Sequence, residues 1–356
     1  TFDPMTIGQP HSHAVGTEEV WMVISGKNLM FLGKEIRWQG PGEAYKIPPN
    51  GTTPHSNINT SEEPNGFSIF QDFKQVYIRK VKINALFELD EYLCTKCGIC
   101  ADVCPAVIIT RPDDGTFPSV PETYENMCIH CGHCEVFCPS KALLFNDRPE
   151  ERVSLPAAGH TIPPEVLSLY LRKRRSIRCF TRNTIPEDII LRLIETASYA
   201  ASGGNRQPVK WLVIHNHAKV RKVAELTIEW MKTLLRTDHP LSHYVPRIIA
   251  GWRTGRDTIC LGAPHLVINH VPDDNPGALV DAVIAMTHID IAAQSYGAGT
   301  CWAGFVMMAS SAFEPLKAEL ALPKGQKTAA VMMMGYPKYK SYGIPRKNTP
   351  DITWRL

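Results

Sequence analysis

Two short cysteine phrases constrain this chain more than any other feature of its sequence. "CTKCGICADVCP" begins at Cys94 and "CIHCGHCEVFCP" begins at Cys128, and both follow the spacing C-x2-C-x2-C-x3-C-P. Together they hold eight of the eleven cysteines of a 356-residue chain. The spacing gathers several thiols in each loop, so the first question is what those thiols bind.

Disulfides, zinc and iron–sulfur clusters are the three candidate answers. Thiols two residues apart are difficult to bridge to each other, and a reducing compartment disfavours the bond. A C-x-x-C pair can supply two thiolates to zinc, but a third and a fourth spaced thiolate followed by Pro exceed what a zinc knuckle needs. Three thiolates from one loop and a fourth from elsewhere match a cubane iron–sulfur cluster.

The pattern therefore predicts two 4Fe-4S clusters, with the fourth cysteine of each run serving the other cluster. The first cluster is assigned Cys94, Cys97, Cys100 and Cys138, and the second is assigned Cys128, Cys131, Cys134 and Cys104. Pro105 and Pro139 stop each helical turn just after the fourth cysteine. The stretch from about Leu86 to Asp147 resembles a bacterial two-cluster ferredoxin over its whole length, which implies single-electron transfer.

Composition and charge limit the other classes of function. The length allows two or three domains. A net charge of +3 without a basic stripe gives no reason to expect nucleic acid as a partner. No apolar run approaches a membrane span, and the first residues lack the layout of a signal peptide. We expect a soluble, cytoplasmic protein with no membrane partner.

From about Glu151 the sequence alternates helix and strand patterns. "NTIPEDIILRLIETASYAASGG" predicts an amphipathic helix capped by Asn183 or Thr184, and "DAVIAMTHIDIAAQSYGAG" predicts a buried helix. "VKWLVIHN", "APHLVINHV" and "TAAVMMMGYP" predict strands. This mixture indicates an α+β domain with a central sheet.

Three polar phrases in that domain carry candidate binding residues. "RKRRSIRCF" supplies Arg forks suited to a phosphate dianion, although a solvated basic patch would look the same. "ASGGNRQP" offers amide and hydroxyl partners beside a Gly pair, and alone it is an ordinary loop. "GAGTCWAGF" has glycines that let backbone N–H groups approach a planar ligand.

In this order the phrases resemble the nitroreductase family of FMN-dependent flavoproteins over about Pro164 to Leu356. The resemblance implies that Arg174, Arg175, Ser176 and Arg178 hold the ribityl phosphate and the pyrimidine edge, with Arg346 returning to the phosphate. It also implies that Asn205 and Gln207, with Ser202 beside them, contact the ring or the ribityl chain. Backbone N–H groups of Trp302, Ala303 and Gly304 would face flavin N5 and O4. Members are typically homodimers with FMN at the subunit interface.

The first eighty residues resemble part of a cupin. "HSHAVGTEEVWMVISG" and "GEAYKIPPNGTTPHSNIN" look like the two cupin motifs around a short hairpin. The resemblance implies a small β-barrel fragment in which His11, His13, Glu19 and His55 hold Fe, Mn, Ni or Zn. A metal-free barrel half kept for assembly is the alternative.

The sequence thus predicts a multidomain chain: a cupin-like segment at 1–80, a two-cluster ferredoxin domain at 84–150 and an α+β FMN domain at 160–356. In the predicted function, two 4Fe-4S clusters relay electrons to FMN, and FMN reduces an organic acceptor. The acceptor is a nitro, quinone, enone or halogenated compound. The expected donor is ferredoxin or another low-potential electron donor. The alternative is an electron-transfer or redox-sensing subunit without a substrate of its own. No catalytic side chain is assigned, because flavin N5 is the expected reactive atom.

Overall fold

The structure is a computed structural model that describes residues 86–111, 116–145 and 161–355, together with seven strands before residue 84. The chain divides into two compact units. One comprises Thr1–Asn126 and Gly132–Pro149, and the other comprises Met127–Cys131 and Glu150–Leu356. No helix in the described ranges is both long enough and apolar enough to cross a membrane.

The front of the chain forms two antiparallel three-stranded sheets. The six strands are β1 (Glu19–Val23), β2 (Asn28–Leu32), β3 (Glu35–Gln39), β4 (Ala44–Ile47), β5 (His55–Asn59) and β6 (Phe67–Gln71). One sheet has the order β4-β1-β6 and the other β3-β2-β5, and β2 and β3 form the expected hairpin. The segment is therefore made of strands, while its cupin character stays a prediction.

The described residues of the cysteine-rich segment, 86–111 and 116–145, have little regular structure. A third small sheet joins β7 (Val81–Ile83), β8 (Phe87–Asp90) and β9 (Leu143–Phe145). Between β8 and β9 lie two single-turn helices, α1 (Ile99–Asp102) and α2 (His133–Val136), and a 3-10 helix at Glu122–Met127. Leu89 and Leu143, both almost fully buried, pair across this sheet and form its core.

The second unit is built on an antiparallel four-stranded sheet. Its strands are β10 (Lys210–Ile214), β11 (His265–Pro272), β12 (Gly299–Trp302) and β13 (Gln326–Gly335), in the order β10-β11-β13-β12. The three apolar runs predicted as strands are confirmed. β12 was not predicted, because its residues were taken as part of a glycine-rich loop.

Helices cover both faces of this sheet, which confirms the α+β class. They are α4 (Glu187–Ser198), α5 (His217–Thr233), α6 (Val245–Arg253), α7 (Ala278–Ala292), α8 (Gly304–Ala312) and α9 (Glu314–Leu320). A further helix, α3 (Pro164–Lys173), precedes them and has no buried residue. Along β13, Val331 and Met333 pack with α5, α6, α8 and α9, whereas Met332 and Met334 pack with α4 and α7. This alternation follows from the two-residue period of a strand.

The amphipathic helix α4 differs from its prediction at its first turn. It begins at Glu187, after Pro186, and no side chain caps it. The cap expected at Asn183 or Thr184 is wrong. Pro186 sets a backbone φ that suits a helix start, and Glu187 and Asp188 complement the positive end of the helix dipole.

Candidate functional site

The first predicted set of thiols surrounds one cavity. Cys94 and Cys97 line it from the loop before α1, Cys100 lines it from α1 itself, and Cys138 reaches it from the second motif. The pairing of three thiols from one run with the last thiol of the other is therefore present in the geometry. The four do not converge on a point: in the described part of the chain, no three His, Cys, Asp or Glu side chains are grouped so that they could hold a metal ion.

Burial, together with the neighbouring thiols, raises the pKa of two of these cysteines. The pKa of Cys100 is raised to about 11, first by burial and then by Cys94, Cys138 and Cys97, against a hydrogen bond from the Ala101 backbone that lowers it. Burial, Cys138 and Cys97 also raise the pKa of Cys94. The raised pKa values of Cys94 and Cys100 suit a cationic iron centre, which binds thiolates and displaces their protons.

Backbone N–H groups point at sulfur in this site. The Ala142 N–H donates to Cys138 Sγ over 3.3 Å, and the backbone of Lys96 donates to the Cys94 sulfur. Such bonds stabilise charge on sulfur and tune the potential of an iron–sulfur cluster. The donor set of the first site therefore fits a 4Fe-4S cluster.

The second motif repeats the backbone geometry of the first with an offset of 34 residues. Gly98 and Gly132 both adopt left-handed φ, at 77° and 68°, and both precede a single helical turn. Lys96 and His130 are left-handed at φ 56° and 52°, as are Val107 and Lys141 at 56° and 55°. The matched turns support a second cluster at Cys104, Cys128, Cys131 and Cys134, whose assembly stays a prediction.

The basic phrase predicted to bind phosphate lies against β12. Ser176 forms an isolated parallel β-bridge with Thr300, and the Ile177 N–H donates to the Thr300 carbonyl over 2.8 Å. Arg174 lies 3.4 Å from the carboxylate of Asp290 on α7, and that carboxylate accepts a hydrogen bond from the Thr300 hydroxyl. Arg174 is thus fixed by a buried acid.

A cavity of about 750 Å³ opens beside Arg174. Its wall includes five cationic side chains and the glycine-rich turn before β12; the cations are Lys173, Arg174, Arg175, Lys338 and Lys340. Arg175 donates to the Arg172 carbonyl, and its buried Nε has no hydrogen-bond partner within the described ranges. An unpaired guanidinium nitrogen in a cation-lined cavity suits a phosphate group.

Ser176 and Arg178 meet at Cys301 on β12. Burial raises the pKa of the Cys301 thiol, while Arg178, a hydrogen bond with Ser176, and Arg174 oppose that rise. Three of the four residues in the predicted phrase therefore converge on one thiol next to the cavity. Cys260 is buried as expected for packing, whereas Cys179 is exposed.

The Ser202–Gln207 loop lies at the other end of α7. The Gly203 N–H donates to Asp281 in the first turn of α7 over 3.0 Å, and Ser202 and Gln207 line a separate cavity of about 120 Å³. Asp281 and Asp290 are nine residues apart, or about 13 Å along the helix. One chain therefore carries two polar half-sites at opposite ends of one helix.

The side chain of Asn205 points to the backbone of the second cysteine motif. Its Nδ2 donates to the carbonyls of Ile129, over 3.1 Å, and His130, over 2.8 Å. Its Oδ1 accepts from the Gln207 amide over 3.2 Å. Every polar atom of the Asn205 amide is engaged within the chain, so its contact with a flavin stays a prediction.

Of the three backbone donors expected near the flavin, Ala303 is already paired. The Ala303 N–H donates to Val331 across the sheet over 2.8 Å, and Trp302 is the last residue of β12. Gly304 is the first residue of α8, where an N–H has no acceptor within the helix. Gly304 is therefore the best placed of the three.

The remaining predicted residues are Arg346 and the four proposed metal ligands of the front segment. Arg346 is exposed in the segment after β13. His11 and His13 lie outside the described residues. Glu19 begins β1 and His55 begins β5, in different sheets of the front segment. The front metal site therefore stays a prediction.

Four residues near these sites were not singled out from sequence: Asp281, Asp290, Lys338 and Lys340. A signal existed for the acids, since two carboxylates in the otherwise apolar α7 pattern must find partners once buried. The lysines stand in "PKYK", directly after the β13 pattern, but nothing in the sequence shows that this segment returns to Arg174.

Comparison with known proteins agrees with both parts of this geometry. Residues 171–336 match the model of the nitroreductase family, and residues 93–143 match that of a 4Fe-4S dicluster domain. This chain contains a nitroreductase domain and a 4Fe-4S dicluster domain. The nitroreductase domain accounts for the sheet, its helices and the cation-lined cavity.

Individual relatives resemble the nitroreductase domain. An iodotyrosine deiodinase of Haliscomenobacter hydrossis is 27% identical over 158 residues, which cover 38% of this chain and 70% of that protein. An FMN-bound nitroreductase structure from Desulfitobacterium hafniense covers 55% of this chain and 100% of its own, with 23% identity and a TM-score of 0.45. A BluB-like flavoprotein structure from Clostridium difficile covers 51% of this chain and 94% of its own, with 21% identity and a TM-score of 0.43.

Proposed function

We propose that this chain is an FMN-dependent oxidoreductase in which two 4Fe-4S clusters relay single electrons to FMN, which reduces an organic acceptor. The observation that carries the proposal is the coexistence, in one chain, of four thiols from two motifs around one cavity and of a cation-lined cavity in a nitroreductase domain. FMN suits this junction because it exchanges one electron or two, whereas a cluster exchanges one.

The chain's own residues would bind and orient the cofactor. Arg175, with Lys338 and Lys340, presents cationic donors to the phosphate, and Arg174 adds a charge that Asp290 holds in place. The Gly304 N–H, at the start of α8, would donate to an electron-rich edge of the ring. Ser176 and Arg178 lie next to Cys301, which follows the cavity-lining Thr300 on β12.

We propose further that the protein is a homodimer in which each flavin touches both subunits. The Arg174 and Ser202 half-sites line separate cavities at opposite ends of α7, as expected if each is completed by the other copy. α7 also exposes Leu279, Val280 and Val283, and α3 exposes Val166, Leu167, Leu169 and Leu171. Apolar helix faces of this extent are typical of subunit interfaces.

Replacing Val280 by Glu tests the dimer. Val280 is 62% exposed in one chain, so a charge there leaves the core of the subunit intact but should separate the copies and release FMN. Leu191→Glu, at a 56% exposed position on α4, is the matched control. Sedimentation velocity and bound-flavin absorbance would contradict the dimer proposal if Val280→Glu remained dimeric.

For the acceptor, we propose a nitro, quinone, enone or halogenated organic compound. Of these, the halogenated class has support from the relative named iodotyrosine deiodinase. Three aromatic residues between Glu229 and Thr258 are candidates to stack on an aromatic acceptor. Of these, Trp230 is buried and Trp252 stacks against the Arg221 guanidinium at 3.6 Å, so both serve packing. Tyr244 is exposed and lines a cavity of about 540 Å³ with Arg247 and Arg256.

The composition of the anaerobically purified protein tests the proposal. It should carry about eight iron atoms and one FMN per chain. Photoreduced protein should then be mixed with each class of acceptor, and the flavin absorbance should recover only with a true substrate. Recovery with none of them would favour an electron-transfer subunit, and an iron content near four would exclude two clusters.

We also propose a divalent metal in the front segment, held by His11, His13, Glu19 and His55. Glu19 and His55 begin strands of two antiparallel sheets, as ligands of a small barrel would. Metal analysis of His13→Ala and His55→Ala tests this, since losing one of three imidazoles should strongly weaken binding. Unchanged metal content in both variants would contradict the site.

A further inference from the structure

The contact between Asn205 and the second cysteine motif links two parts of the proposed electron path. Asn205 Nδ2 donates to the carbonyls of Ile129 and His130, which stand between Cys128 and Cys131 in sequence. The segment Met127–Cys131 belongs to the same compact unit as residues 150–356. Two predicted cluster ligands are thus fixed to the nitroreductase domain.

The orientation of the Asn205 amide follows from its partners. Both carbonyl oxygens can only accept, so the NH₂ end must face them, and the Oδ1 end then accepts from Gln207 Nε2 over 3.2 Å. If the amide were flipped, its oxygen would face the two carbonyl oxygens, and Gln207 Nε2 would face an NH₂ group that cannot accept its hydrogen bond. The contact therefore depends on an amide at this position, and a carboxylate cannot replace it.

The loop that carries Asn205 is held from several sides. The Asn205 N–H donates to the Ser202 carbonyl, the Gln207 N–H donates to the Ser202 hydroxyl, and the Gly203 N–H donates to Asp281. Asn205 adopts a left-handed φ of 53°, which Asn tolerates better than most residues. A restrained loop can transmit the position of α7 to the motif it binds.

We infer that the cluster bound by Cys128 and Cys131 is the immediate electron donor to the flavin and that Asn205 is the residue that positions it. The inference rests on the proposed function, since it needs both cofactors. Ser202 and Gln207, in the same loop as Asn205, line one proposed flavin half-site. The loop that is proposed to contact the flavin therefore also binds the backbone between two ligands of this cluster.

The electrons balance over two transfers. An external one-electron donor of the ferredoxin class would reduce the clusters, and one electron would then pass from the cluster held by Cys128 and Cys131 to FMN, leaving that cluster oxidised. A second cycle would deliver the second electron, and one proton from solvent would complete the reduced flavin anion. Asn205 takes no part in the chemistry and acts by holding the donor at a fixed distance.

Asn205→Asp tests the inference, because it keeps size and left-handed tolerance but removes both N–H donors. The matched control is Asn216→Asp in the same domain, where the side-chain oxygen caps α5 by accepting from Lys219 and a carboxylate does the same. Asn205→Gly, which adopts positive φ without strain, is a second variant if the first folds poorly.

Two measurements on the anaerobic full chain give the answer. A flash of light first reduces the clusters by one electron. Flavin reduction should then be slower by roughly tenfold or more in both Asn205 variants, because losing two hydrogen bonds lowers the population of the bound arrangement by about that factor. Hydrogen exchange at the amides of residues 127–131 should rise in the same variants. Asn216→Asp should match the native protein in both measurements.

Iron and FMN contents separate the possible failures. Native protein lacking either cofactor would overturn the proposed function, and this inference with it. A native protein with both cofactors, and Asn205 variants that keep them and transfer electrons at the native rate, would overturn this inference alone. Loss of FMN from the Asn205 variants would also overturn it, because Asn205 would then act at the flavin.

Discussion

Asp290 lies 3.4 Å from the guanidinium of Arg174 while it accepts a hydrogen bond from the Thr300 hydroxyl. The acid is 5% exposed, so it needs a cation beside it. Arg174 therefore has two tasks in the proposed site. It neutralises a buried carboxylate, and it presents charge to the cavity where the flavin phosphate is expected.

Arg174→Ala should weaken FMN binding by roughly ten- to a hundredfold, because a charge-assisted hydrogen bond contributes about 1.5–3 kcal/mol. The colour of the bound flavin should change little, since the guanidinium is proposed to meet the phosphate and not the ring. Fluorescence titration of apoprotein with FMN measures the affinity. Arg182→Ala, at an exposed position nearby in sequence, is the control.

The same variant should also be less stable, because Asp290 loses its cation. Adding Asp290→Asn to Arg174→Ala should restore most of the free energy of unfolding but leave FMN affinity low. Restored affinity in the double variant would mean that Arg174 acts only through Asp290, and the phosphate site would lie elsewhere.

Much of the nitroreductase domain was predictable, because three of its strands are apolar runs of the length that is typical of buried strands. β12 was missed since it is short and begins with glycine. The structure explains that glycine: a Cβ on Gly299 would lie 2.5 Å from the Ile177 side chain and 2.9 Å from Pro337. The close approach joins the arginine phrase to the sheet, and it depends on a tertiary contact that local patterns do not encode.

The site was predictable in its residue types and less so in their partners. Cys138 was assigned with Cys94, Cys97 and Cys100 because the two motifs match the two-cluster arrangement, in which the fourth cysteine of each run serves the other cluster, and all four thiols line one cavity. By contrast, the partners of Asn205 lie about 75 residues earlier in the chain, and the pairing of Arg174 with Asp290 spans a whole domain. No periodicity links such residues.

Paired cysteine variants test which thiols share a cluster. Cys97→Ser with Cys138→Ser removes two ligands from one proposed cluster, so about four of about eight iron atoms should remain. Cys97→Ser with Cys104→Ser removes one ligand from each cluster, so iron should fall well below four. Iron analysis and low-temperature EPR of reduced protein would show the opposite pattern if each motif built its own cluster.

Acid should destabilise the nitroreductase domain through His265. This imidazole stacks on His215 at 4.1 Å, accepts the Ile185 N–H over 2.8 Å, and is buried. Its pKa is lowered to about 4 by burial and then by His215, so the fold holds the neutral form. The contribution is present above about pH 6.5 and is lost as pH falls towards 4, by up to about 3 kcal/mol.

Urea unfolding followed by near-UV circular dichroism at pH 7.5 and pH 5 measures this loss. His265→Asn should flatten the dependence on pH, since an amide can still accept from Ile185 but cannot take a proton. His217→Ala, at an exposed position, should retain it. An equal slope in His265→Asn and the native protein would show that other groups cause the acid sensitivity.

Reduction of the flavin by reduced ferredoxin, compared in native protein and Cys131→Ser, tests the central claim most directly. The substitution removes a ligand of the cluster proposed nearest the flavin, while the nitroreductase domain keeps its own core. We predict that FMN stays bound, that light-driven flavin reduction followed by transfer to an acceptor proceeds at the native rate, and that reduction by ferredoxin becomes slow. Ferredoxin-driven reduction at the native rate, in protein shown by EPR to lack that cluster, would contradict the relay.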